Sequence, residues 1–137
     1  MGRYRLLLKQ VEVKEIDHDL WEAHVTLSAL EKSYTGVSKG PSGDDAHMRL
    51  VVEATLDAIT QALKRPVNFT ISDIALREMN GQKQKFIVVL LKTDYFIQSV
   101  SEAVELLGAC QLSGSQTECA ARATLNATNR AVSLLLK

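Results

Sequence analysis

The chain is poor in the residues that usually announce chemistry or compartment. Two cysteines in 137 residues, Cys110 and Cys119, cannot build the disulfide framework of a small secreted domain. Three histidines, His18, His24 and His47, stand at no metal-type spacing such as an i, i+4 pair on one helix face, so no metal site is expected. Sixteen basic side chains match sixteen acidic ones, giving zero formal charge. No run of Lys and Arg supplies the basic face that nucleic-acid binding needs. The longest apolar runs, Phe86 to Leu91 and Leu134 to Leu136, fall far short of the ~20 residues that cross a bilayer. The start, Met1-Gly2-Arg3-Tyr4-Arg5, carries no signal-peptide pattern. Together these absences predict a soluble cytoplasmic protein with no cofactor and no nucleic-acid or membrane partner. The triplets Asn68-Phe69-Thr70 and Asn126-Ala127-Thr128 then have no glycosylation role.

What is present is an ordinary globular composition, 46% hydrophobic and 23% charged, long enough for a single domain with a real core. The chain also compares with itself. Residues 54–63 read ATLDAITQAL and residues 123–132 read ATLNATNRAV, 69 positions apart. Upstream, YTGVSKGPSGDD corresponds to LLGACQLSGSQTE, with Gly36 on Gly108 across a three-residue gap. WEAHVTLSAL then corresponds to FIVVLLKTDY, and YRLLLKQVEV to VNFTISDIAL. Four matches in one order point to a duplication, with one repeat over 1–65 and the other over 66–137.

Each half reads strand, strand, strand, helix. Trp21, Ala23, Val25, Leu27 and Ala29 alternate with polar residues, the period of a half-buried antiparallel strand. Strands over Arg3–Glu15 and Lys32–Lys39 flank it. A helix is predicted from Asp44 to Lys64, introduced by Pro41-Ser42-Gly43 and ended by Pro66, with an apolar stripe running from Met48 through Val52, Thr55 and Ile59 to Leu63. In the second half, Val67, Phe69 and Ile71 share one face and Ile74 and Leu76 the other, which predicts a bulge near Ser72-Asp73. Asn80-Gly81 predicts a hairpin turn. The continuously apolar Phe86–Leu91 predicts a strand covered on both faces. A strand over Ala103–Leu112 follows, then a helix over Thr117–Leu136 whose small residues, Ala120 to Ala131, permit close approach. The predicted fold class is α+β: two βββα repeats related by a pseudo-twofold, with antiparallel strands and both helices packed on one face.

Gly36-Val37-Ser38-Lys39-Gly40 matches G-x-S-x-G, which presents a nucleophilic serine where a parallel strand turns sharply into a helix. Here Pro41 and Gly43 intervene before the helix, the strands are antiparallel, and the second half carries Cys110 near the place of Ser38. A glycine-built loop is the preferred reading. The alternatives are a small hydrolase or transferase using Ser38 or Cys110 with His24 or His47, and a purely structural assembly domain. What recurs is a glycine-containing loop before each helix, where unpaired N–H groups and the helix dipole attract an anion.

The βββα order given twice, with YTGVSKG followed by RLVVEATLDAITQAL and its Glu53-Ala54-Thr55, resembles the C-terminal regulatory domain of 2-isopropylmalate synthase. That resemblance implies a non-catalytic module that dimerises and binds an amino-acid effector near the helix-start loops. By position it indicates Gly36, Ser38, Gly40 and Gly43, with Gly108, Ser113 and Gly114 in the second half; Asp44 joins them because a carboxylate at the helix start suits the amino group of a zwitterion. The 137 residues hold neither the TIM-barrel catalytic domain of that enzyme nor its metal-binding histidine motif, so its acyl condensation is not expected of them. Self-association is expected separately, because a second sheet face carrying Val88, Leu90, Val11 or Val13 needs a cover.

Overall fold

The structure is a computed structural model, and it describes residues 6–41, 43–63, 67–78, 84–97 and 100–135. In order these form β1 (Leu7–Asp17), β2 (Leu20–Ala29), β3 (Lys32–Pro41), α1 (Asp44–Leu63), β4 (Asn68–Glu78), β5 (Lys85–Ile97), β6 (Val100–Gln111) and α2 (Gln116–Leu135). The strands make two three-stranded antiparallel sheets, β1-β2-β3 and β4-β5-β6. The α+β arrangement of two βββα repeats is therefore present. Pro66 and Asn80-Gly81 lie outside the described residues.

Each helix lies on the inner face of its own sheet, α1 on β2 and β3, and α2 on β5 and β6. The helices touch each other, and each reaches the first strand of the other repeat, α1 to β4 and α2 to β1. The alternation in β2 sends Ala23, Val25 and Leu27 inward, all with no exposure. Ile87, Val89 and Leu91 do the same in β5. The α1 stripe of Met48, Val51, Val52, Thr55, Leu56, Ile59 and Leu63 is buried throughout. Ala120, Ala121, Ala123 and Ala127 of α2 are buried as well. Leucine-sized burial stabilises by about 1.5–3 kcal/mol per side chain, so this seam between sheets and helices holds most of the stability. The bulge falls where the phase change put it, between Ile71 and Asp73.

The repeat explains its own motif. Gly36 sits in mid-β3 opposite Val25, and Gly108 in mid-β6 opposite Val89. A Cβ on Gly36 would run into the backbone of Ala54 and Ala58, and one on Gly108 into that of Ala123 and Ala127. The shared Ala-Thr-Leu-x-Ala is thus the helix surface that meets the strand glycine. Thr55 and Thr124 return their hydroxyls to the carbonyls of Val51 and Ala120, at 2.7 and 2.8 Å, which lets a polar side chain be buried. The x position reaches the residue after the glycine in both halves. Asp57 accepts from the Val37 N–H at 3.0 Å, and Asn126 donates to the Ala109 carbonyl at 2.8 Å.

Two expectations need correction. Val11 and Val13 pair with Val25 and Ala23, so they face the core and not a second surface. The correspondence of WEAHVTLSAL with FIVVLLKTDY is also one residue out. The paired glycines equate Val25 with Val89, whereas that alignment sets Val25 on Leu90, which points outward. A one-residue slip exchanges the faces of a strand.

Because the helix backbone itself blocks the space, Gly36→Ala and Gly108→Ala are each expected to destabilise by about 1–3 kcal/mol or to prevent folding. Gly114→Ala, at a site with open space around it but a φ of +92°, should cost about 1 kcal/mol. Thermal unfolding of the three variants checks the ranking; Gly36→Ala as stable as the parent would refute the close approach.

Candidate functional site

The structure separates the glycines that the sequence grouped as one kind of loop. Gly36 and Gly108 are buried strand residues pressed against helix backbone, so no ligand reaches them, and they drop out as binding residues. Gly40 is also in β3, paired with Trp21 and lying under the Leu50 side chain. Only Gly43, Ser113 and Gly114 occupy the turns before the helices, all exposed, with φ of +134° at Gly43 and +92° at Gly114. Asp44 opens α1, and its side chain lies outside the described residues. The α1 ladder opens at Gly43, and α2 carries a side-chain cap. The His47 N–H bonds the Gly43 carbonyl at 2.9 Å, and Ser115 caps α2 by accepting from the Glu118 N–H at 3.3 Å.

The nucleophile arrangement does not assemble. Ser38 donates its hydroxyl to Glu53 Oε2 at 2.8 Å, a carboxylate already paired with Arg49, so its partner is neither His24 nor His47. His47 packs its ring against Trp21, with centroids 4.6 Å apart. His24 pairs with Glu22 on the outer face of the first sheet, where Lys39 also lies 3.5 Å from the Glu22 carboxylate. The His24 hydrogen bond, helped by Lys39, holds the Glu22 carboxyl below its ordinary range. His18 sits in the exposed β1–β2 turn, 3.5 Å from Asp19. Cys119 is buried and donates its thiol to the Cys110 carbonyl at 3.2 Å. Burial, reinforced by the neighbouring Cys110 sulfur, pushes the Cys119 thiol up to about 12. Among the described residues no three His, Cys, Asp or Glu side chains gather as a metal site, and no helix is long and apolar enough to cross a membrane.

The concave surface is elsewhere. A cleft of about 590 Å³ lies where the start of α1, the edge strand β4 and the start of α2 converge. Arg49 and Met48 enter from α1, Asp73 to Arg77 from β4, and Gln116 from α2. Arg49 and Arg77, with the carboxylate-bearing Asp73, border this cleft together with apolar Ile74 and Leu76; in β4, Ile74 and Leu76 face inward, and Asp73 and Arg77 flank the edge from the outer side of the sheet. Arg49 Nε is held 3.1 Å from Glu53 Oε1, and the other oxygen of that carboxylate takes the Ser38 bond. Ser38 therefore acts on the cleft through Glu53 and Arg49. A second cavity, of about 210 Å³, lies between β1 and α2 and is lined largely by Leu6, Leu7, Leu8 and Leu125, with Arg122 and two asparagines.

Of the residues indicated from the sequence, only Ser38 connects to the cleft, and it does so indirectly. Arg49, Asp73, Arg77 and Gln116 were not singled out. The bulge beside Asp73 was the one available signal, since bulges recur next to functional sites. Comparison with protein-family models gave no match to this chain, and comparison with curated proteins gave none.

The thiol environments make a direct expectation. At mildly alkaline pH a chromogenic disulfide reagent should titrate half-buried Cys110 in the folded protein, and Cys119 only after denaturant is added. Two rapid equivalents in the native state would contradict the burial of Cys119.

Proposed function

We propose that the chain is a non-catalytic regulatory module that binds a small carboxylate-bearing effector in the cleft between α1, β4 and α2. The observation that carries this reading is that Arg49, Arg77 and Asp73 border one concavity together with apolar Ile74 and Leu76, Arg77 and Asp73 reaching it from the outer side of the β4 edge. A guanidinium offers a planar fork of donors that suits a carboxylate, and an apolar pocket with a few convergent polar groups is the usual form of a small-molecule site. Asp73 supplies a place for an ammonium group, so a zwitterion with an aliphatic side chain, an amino acid, meets every part of the lining. An inorganic phosphate meets the arginines alone and leaves Asp73 facing like charge. The similarity of βββα order and of the YTGVSKG segment to a regulatory domain points to the same class of ligand. The place differs: the edge of β4, with the helix-start glycines behind it.

Titration calorimetry with leucine, its des-amino analogue 4-methylpentanoate and inorganic phosphate tests this. Leucine should bind the parent protein best. Arg77→Gln should weaken it by about tenfold or more, since a hydrogen bond to a charged group contributes about 1.5–3 kcal/mol. Asp73→Asn should erase the preference for leucine over the des-amino acid. Ser38→Ala, acting only through Glu53, should change affinity by less than Arg49→Gln does. No heat with any of the three, or phosphate binding as tight as leucine, would overturn the proposal.

A further inference from the structure

We propose that the outer face of the second sheet binds a second copy of this chain, in one orientation: face to face about a two-fold axis lying in the interface and perpendicular to the strands. Asp73 and Arg77, at the β4 edge of this face, also border the proposed effector cleft, and the test below leaves both unchanged. The proposal starts from a difference between the two repeats. The outer face of the first sheet carries the registered rows Gln10–Thr26–Thr35, Glu12–His24–Val37 and Lys14–Glu22–Lys39, as a solvated sheet should. The outer face of the second sheet carries Asp73–Leu90–Leu107 and Ala75–Val88–Ala109 at its centre. Phe86, in the row between Arg77 and Gln111, extends that apolar surface. Leu107 is 66% exposed, and among the described residues β5 and β6 make their main contacts with their neighbouring strands and with α2, which lies on the inner face. Among the described residues, the expectation that Phe86–Leu91 would be covered on both faces is met on one face alone.

The pattern on this face is complementary to itself under one symmetry. Turning a second copy about an axis across the strands stacks β4 on β4, β5 on β5 and β6 on β6, with the row order reversed. The protruding Leu107 then sits over the small Ala109 of the other copy, and Leu90 over Val88. At the ends, Lys92 lies over the ring of Phe86, a favourable cation–π placement, and Glu105 over the amide of Gln111. The other face-to-face two-fold, with its axis along the strands, stacks Lys92 on Lys92, Leu107 on Asp73 and Ala75 on Ala109. It therefore sets like charge on like charge and leaves a void between two alanines, whereas Asp73 meets an aliphatic group in either arrangement, Leu107 here and Ala75 in the first. Charge and shape select the first arrangement. Twelve positions on a face with strands about 4.8 Å apart present on the order of 400 Å² per copy, less than the ~800 Å² per partner of a stable interface. By that measure the dimer belongs among weak, transient associations.

Sedimentation equilibrium of the full chain across the micromolar range tests this, with circular dichroism confirming that each variant is folded. The parent mass should rise from 15.1 kDa toward twice that value as concentration increases. Leu107→Glu should hold the protein at monomer mass, and Val37→Glu on the outer face of the first sheet should leave the dimer unchanged. Ala109→Leu should also abolish association, because it fills the recess under Leu107. Lys92→Gln should weaken the dimer about fivefold or more, two symmetric cation–π contacts being lost. A parent protein that stays monomeric throughout overturns the proposal. So does an Ala109→Leu protein that dimerises like the parent, or a Lys92→Gln protein that dimerises more tightly, the result expected of the rejected two-fold.

Discussion

Where a helix crosses a sheet, side chains normally keep the two backbones well apart. At Gly36 and Gly108 that spacer is missing, and the helix backbone at Ala54 and Ala58, or at Ala123 and Ala127, occupies the space a Cβ would need. Much of the architecture depends on this pair of contacts. They require alanine on the facing helix turns. They bring the side chains of Asp57 and Asn126 within reach of strand backbone one residue beyond the glycine. They also fix how each helix lies along its third strand, and so where its start emerges. Dispersion and burial are gained along the whole seam because the closest point can close.

The duplicated halves preserve what this packing demands and differ where it makes no demand. Inner-face positions stay largely apolar in both sheets, Ser38 and Thr93 excepted. Outer-face positions have diverged, polar with His24, Glu22 and Lys39 in one repeat and apolar with Val88, Leu90 and Leu107 in the other. The cleft is likewise asymmetric. It draws on α1 of the first repeat with β4 and α2 of the second, so neither half contains it. The position equivalent to Arg49, 69 residues on, is Glu118, which pairs with Arg122 within its own helix. The cationic wall therefore exists once.

Secondary structure was legible because its signals are local. Alternation marks β2, the 3.6-residue stripe marks α1, and the change of phase at Ser72-Asp73 marks the bulge. Gly36 was harder, since a glycine near Gly40 and Gly43 reads as part of a loop. The recurrence of Gly36 at Gly108, upstream of an alanine-rich helix in both halves, was the clue to a strand glycine approached by another backbone. The phase of β5 could not be read at all. Phe86 to Leu91 is apolar on both faces, so the run contains no alternation to say which residues point inward, and the comparison with β2 slipped by one.

The sequence by itself determined the class of fold, the duplication and the elements, because propensity, periodicity and repetition act between residues near in the chain or at one fixed offset. Only the tertiary structure decided which face of β5 is free, that Ser38 bonds Glu53 and so braces Arg49, and that Arg49, Asp73, Arg77 and Gln116 line one cleft. Those four residues belong to three elements and share no spacing or motif. They meet because the glycine contacts set where each helix starts and because α1 reaches the first strand of the other repeat, a long-range consequence of packing that no local pattern encodes.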